Sequence, residues 1–177
     1  MVQDAGKIGA GIITMLGKID WAAHGNTAVH AAVPFAVGFV NNLLQALGSE
    51  ALQPPPPLLW VLLDEHVLTR EIGGPKVMHD QLTHLAGLAR PNITVQVIPG
   101  LGAHPGLLGA FAIAELTGLP AIVYLETAHD GQTLEDPDVG ARMSVRFDAL
   151  RTEALTGRAS LSLIEKVTEE RWTTQTT

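Results

Sequence analysis

The sequence predicts an α/β (α+β) fold: a small mixed, mostly antiparallel sheet backed by helices, with a helical N-terminal segment. Three observations carry this. Short apolar runs flanked on one side by proline or glycine recur at 58–63, 93–98, 110–116 and 121–126. Segments with apolar residues three to four apart lie between and after them, as helices require. The last two runs are separated by Thr117-Gly118-Leu119-Pro120, a turn that suits a hairpin.

The elements follow in order. Ile8, Ile12, Met15 and Ile19 recur near helical spacing, against the cost of Gly6, Gly9, Gly11 and Gly17. Phe35 to Leu47 is apolar on most faces and predicts a buried helix ending near Gly48. Together these make residues 1–53 a helical segment packed on the main domain. Pro54 to Pro57 form a stiff extended link, because proline fixes φ and donates no hydrogen bond. Leu58 to Leu63, with Trp60 and Val61, is a buried strand. Gly73-Gly74-Pro75 opens a helix whose inner face is Met78, Leu82, Leu85 and Ala89. Ile93 to Ile98 alternates, with Ile93, Val95 and Val97 on one face and Thr94, Gln96 and Ile98 on the other. A glycine-rich loop from Gly100 to Gly109 carries His104, and the hairpin strands follow. Asp136-Pro137 is a helix start, a carboxylate N-cap followed by proline at the first helical position. Val139, Met143, Phe147, Leu150 and Ala154 mark its inner face. A last helix is expected from about Ser160 or Ser162, with Ser162 and Glu165 as a capping box. The tail after Trp172 is expected to fray.

Composition narrows the function. The 177 residues carry eleven Lys and Arg, a net charge of −7 and no cysteine. The basic residues form no run, so direct nucleic-acid binding is disfavoured. Without cysteine there is neither a disulfide framework nor a thiolate metal site. The apolar stretch Ile8 to Leu16 is too short to span a bilayer and has no clear cleavage site, so a cytoplasmic location is expected. No metal is expected: His79 and His84 are five apart, His24 and His30 six apart, and neither spacing shares a helix face well. Gly11 to Lys18 fails as a phosphate loop, being one residue too long with Ile19 where Ser or Thr is needed. No cofactor is implied.

Several residues are candidates for chemistry. Asp64-Glu65-His66 follows a strand directly, where α/β folds build sites. Glu65 and His66 together have the makings of an acid/base pair, against a structural reading in which the acidic pair caps the next segment. His104 is either a site histidine or the source of a loop-ordering hydrogen bond. Glu126 either pairs with Arg70 or faces a pocket, with Glu115 as its expected cross-strand neighbour. Trp60, Phe111 and Tyr124, with Gln96 as a polar contact, either line an apolar pocket or are plain core. Catalytic candidates are therefore Glu65, His104 and Glu126; ligand-binding candidates are Trp60, His66, Arg70, Gln96, Phe111, Tyr124, Phe35 and Phe39.

The run LLDEHVLTREIGGPKVMHDQLTHLAGLARPNITVQVIPGLGAHPGLLGAFAIAEL, continued in order by IVYLET, LEDPDVGARMSVRFDALRTEAL and SLSLIEKV, resembles the DUF5753 domain, the C-terminal domain of Scr1-type antitoxin-like helix-turn-helix regulators of actinobacteria. The resemblance covers about residues 58–172. Upstream, Pro34-Phe35-Ala36-Val37-Gly38-Phe39 stands where the family has Pro-Gly-Leu-Leu-Gln-Thr, so the proline is kept and the polar pair replaced. The sequence starts too late to hold the family's N-terminal helix-turn-helix domain, so either a truncated form or a natural standalone form is expected, Met1 and the apolar N-terminus favouring the second. The resemblance implies a standalone sensor-like domain that binds a small molecule or a small DUF397-type protein, with a homo-oligomer also open. A biosynthetic enzyme of cyclase or isomerase type, shaping an apolar substrate with carboxylate or histidine help, is the rival. A regulator in the strict sense would need a DNA-binding domain upstream.

Overall fold

A computed structural model describes residues 28–33, 58–100, 102, 104–115, 120–126 and 131–173. The expected helices within 8–47, the four-proline link, Phe35, Phe39, the residues 116–119 of the hairpin turn and the tail from 174 lie outside the described residues.

Among the described residues six strands form one sheet: β1 (Ala28–Val33), β2 (Leu58–Asp64), β3 (Ile93–Ile98), β4 (Phe111–Glu115), β5 (Ile122–Glu126) and β6 (Gly131–Leu134). Their order is β3-β2-β1-β4-β5-β6. β1 pairs parallel with β2, and β2 with β3. β1–β4, β4–β5 and β5–β6 are antiparallel. The sheet is thus mixed and mostly antiparallel, as the spacing of the later runs requires. Two strands were not expected. β1 lies within the N-terminal segment read as helical, so that segment contributes the strand that joins both halves of the sheet. β6 is only four residues long, too short for alternation to show.

Helices cover both faces. α1 (His66–Thr69), α2 (Pro75–Ala86) and α4 (Gly157–Arg171) lie on one side, α3 (Pro137–Glu153) on the other. Strand alternation sorts the core between them. Leu59, Val61, Leu63, Val95 and Val97 meet Met78, Leu82, Leu85, Ile164 and Trp172 on the first side. Leu62, Ile98, Phe111, Ile113 and Val123 meet Met143, Phe147 and Leu150 on the second. The two faces read from 93–98 are the two faces observed. α2 stops at Ala86, capped by Gly87, so Ala89 lies beyond it and is exposed.

Asp136 caps α3 as expected, its carboxylate accepting from the N–H groups of Asp138 and Val139. α4 starts earlier than Ser160: Thr156 is its N-cap and accepts from Ala159 N–H. Ser160 is buried inside the helix, and its hydroxyl accepts from Val97 N–H at 2.9 Å. Leu155 N–H donates to Val97 O at 2.8 Å. The α3–α4 junction therefore satisfies the outer edge of β3, which no strand among the described residues covers. Ser160→Ala leaves the buried Val97 N–H without that acceptor and is expected to cost about 1–3 kcal/mol in urea denaturation. A loss below the error of the measurement would show that the edge is held by Leu155 alone.

No described helix is long and apolar enough to cross a membrane.

Candidate functional site

The strand order dictates where a site can form. β1, β2 and β3 step outward in one direction, and β4 then joins on the far side of β1. The segment 99–110 must therefore cross the carboxyl ends of β2 and β1. Open α/β sheets bind ligands where the strand order reverses in this way.

Asp64 ends β2 at that crossing. Glu65 is already out of the strand, with φ −57° and ψ −31°, and begins the turn into α1. The alternation that would send neighbouring side chains to opposite faces stops at Asp64, and the chain folds His66 back onto it. Asp64 Oδ1 accepts from the His66 backbone N–H at 2.7 Å and lies 2.9 Å from His66 Nδ1. Asp64 Oδ2 lies 2.8 Å from His104 Nε2. One carboxylate, 4% exposed, thus holds two imidazoles from two segments.

The partners fix the proton positions. His104 Nδ1 accepts from Gly106 N–H at 3.2 Å, so that nitrogen carries a lone pair and Nε2 carries the proton that Asp64 accepts. His66 has the opposite arrangement: Nδ1–H faces the carboxylate and Nε2 points away from it. The two rings also differ in exposure, at 9% for His104 and 73% for His66. Burial pushes the Asp64 carboxyl upward. The hydrogen bonds from His104 and from the backbone and ring of His66, with the charge interaction of His66, outweigh burial and hold it below its ordinary 3.8.

Glu65 braces the crossing from its other side. Its N–H donates to Ile98 O at 3.0 Å, and its Oε2 accepts from Gly100 N–H at 2.8 Å. His104 caps the 3-10 turn Pro105–Leu108, whose Gly106 lies against Leu150 of α3. Leu107 and Leu108 of this turn are exposed.

The structure thus brings Glu65, His66 and His104 together. The pairing differs from the expected one, because Asp64 is the partner of His66 and Glu65 holds Gly100. His104 does order its loop, and it does so through the same carboxylate. Asp64 and Gly100 are the members that sequence reading left out of the site. An Asp two residues before a His at a strand end, ahead of Pro-Gly, is the signal that points to them.

The remaining candidates lie elsewhere. Trp60 and Gln96 meet each other: Trp60 Nε1–H donates to Gln96 Oε1, and Gln96 Nε2 donates to Leu155 O at 2.6 Å. Arg151 stacks on the Trp60 ring, 4.7 Å from its centroid. This group pins the sheet to the α3–α4 junction. It sits four residues along β2 from Asp64, about 13 Å away. Phe111 is buried in the core on the α3 side, whereas Tyr124 belongs to the opposite face, so the expected trio does not line one pocket. Arg70 is exposed at the end of α1. Glu126 ends β5 opposite Gly131, and its side chain lies outside the described residues. Glu115 is not its neighbour: the β4–β5 pairing sets Phe111 against Leu125, so the two glutamates stand at opposite ends of the hairpin. Among the described residues no group of three or more His, Cys, Asp or Glu is placed to hold a metal ion.

Comparison with curated protein sequences returns no match. Residues 39–166 match a family model described as Domain of unknown function (DUF5753). The matched stretch holds the whole strand-end cluster, Trp60, Gln96, Phe111 and Tyr124, begins at Phe39 and leaves Phe35 outside. It spans more than half of the chain, and the chain belongs to the DUF5753 family.

Proposed function

We propose that this chain is a cytoplasmic recognition domain, a relative of the sensor domain of a regulator, that binds a small molecule or a small DUF397-type protein and does not itself bind nucleic acid. The observation that supports this best is the use of one buried carboxylate to hold an exposed imidazole at the strand-order reversal. Polar groups fixed in this way give a ligand a preorganised contact. The recognition surface comprises Glu65, His66 and the apolar turn with Leu107 and Leu108. The net charge of −7 opposes a polyanionic partner.

Titration calorimetry with a DUF397-type protein tests the reading. His66→Ala and Leu108→Glu are each expected to weaken binding by about tenfold or more, the loss of one central contact. An unchanged Kd in both variants would remove this surface from the interface.

A second reading is an enzyme of cyclase or isomerase type that acts on an apolar small molecule. The Asp64–His66 pair favours it, because a carboxylate that fixes an imidazole tautomer is a common arrangement for proton transfer. Carriage of the gene among biosynthetic genes would support this reading, and an adjacent DUF397-type gene would support the first.

A further inference from the structure

We propose that His66 Nε2 is a built nucleophile, a site of covalent attack on activated acyl compounds such as anhydrides, aryl esters and thioesters. The inference rests on the strand-end site proposed above. Its test reads the imidazole itself, so it can fail while binding stands, and binding can fail while it stands.

Three features of the site carry it. The first is the tautomer. An ionised carboxylate only accepts hydrogen bonds, so Asp64 Oδ1 at 2.9 Å requires the proton on Nδ1 and leaves the lone pair on Nε2 whenever the ring is neutral. The second is access. The ring is 73% exposed although its partner carboxylate is 4% exposed, so the reactive edge faces solvent while the orienting edge is fixed from within. The third is placement. A Cβ on Gly100 would lie 2.9 Å from His66 Cε1, 3.4 Å from its Nδ1 and 3.6 Å from Glu65 Oε2. Gly100 does not have a left-handed φ, so the requirement there is space for the ring. Glu65 holds that backbone in place through Gly100 N–H. The imidazole is thus fixed by hydrogen bonding on one edge and by packing on one face. His79 differs, since its Nδ1 is 3.5 Å from Asp80, whose carboxylate is itself exposed.

The step balances as follows. The Nε2 lone pair attacks the carbonyl carbon and forms an N–C bond. The bond from that carbon to the leaving oxygen or sulfur breaks, and the leaving group departs with its electron pair. The positive charge on the acylated ring faces Asp64 until the Nδ1 proton passes to solvent. Water then attacks the acyl carbon, the C–N bond breaks, and the acid and the free imidazole are regenerated.

Diethyl pyrocarbonate is the probe, with mass mapping of the modified peptides of the full chain, alongside nitrogen-15 spectra of the histidine side chains above neutral pH. His66 is expected as the Nδ1–H tautomer and His104 as Nε2–H. His66 is expected to be ethoxycarbonylated about tenfold faster than His79 and His84, and Asp64→Asn and Gly100→Ala to remove that advantage. Unchanged rates at His79 and His84 in both variants report an intact fold. An Nε2–H tautomer at His66, or a wild-type rate equal to those of His79 and His84, would overturn the proposal. If Asp64→Asn does not fold, the wild-type tautomer and the Gly100→Ala rates decide it.

Discussion

Asp64→Asn is expected to lower the unfolding free energy at pH 7 by about 2–4 kcal/mol, the scale for removing the charged member of a buried, multiply hydrogen-bonded group. The amide keeps one acceptor oxygen and places an N–H donor where the other oxygen accepted from a ring. It leaves His104, 9% exposed, without its ionic partner. The pH dependence follows from the direction of the Asp64 shift. The folded carboxyl lies below its unfolded value of 3.8, so the folded state binds that proton less readily. The stabilisation is present in full above pH about 4 and is lost as pH falls through the folded value. Urea denaturation of both proteins at pH 7 and at pH 3 therefore should show the gap between them narrowing in acid. A gap of the same size at both pH values would show that Asp64 acts through packing and not through charge.

Phe111→Ala is expected to cost about 3–5 kcal/mol, the cost of emptying a large buried aromatic site. Phe111 is 1% exposed and packs with Leu62, Ile113, Val123 and Phe147 under α3. The variant also decides between the two roles the sequence left open. A pocket-lining aromatic would lose ligand affinity while thermal stability stayed near wild type. A core aromatic loses stability first, and a Tm shift of only a degree or two would refute that assignment.

The residues reveal their elements to very different degrees. β3 was legible because Ile93, Val95 and Val97 alternate with polar neighbours, and α3 because Asp136-Pro137 carries its own start chemistry. β1 was not, because AVHAAV sits in an alanine-rich stretch where period two and period 3.6 look alike. The start of α4 was misplaced for a different reason: serine hydroxyls suggested a start near Ser160 or Ser162, while Ser160 lies inside the helix and serves a neighbouring strand. In the site, Glu65, His66 and His104 were legible as polar residues at strand ends and on a glycine-rich loop. The partnership was not, because the Asp64–His104 contact spans 40 residues and depends on a strand order that no local pattern encodes. Tyr124 and Phe111 are both aromatic strand residues, and only the register separates their faces.

The position of β1 has a mechanical consequence. It is bonded on both flanks, parallel to β2 and antiparallel to β4. Tension applied to the chain from its N-terminal side would load the centre of the sheet, not its rim. The two ladders would have to shear together instead of unzipping one bond at a time. A force-spectroscopy trace pulled from that side should therefore show one high rupture, and a pull that engages the short edge strand β6 a lower one.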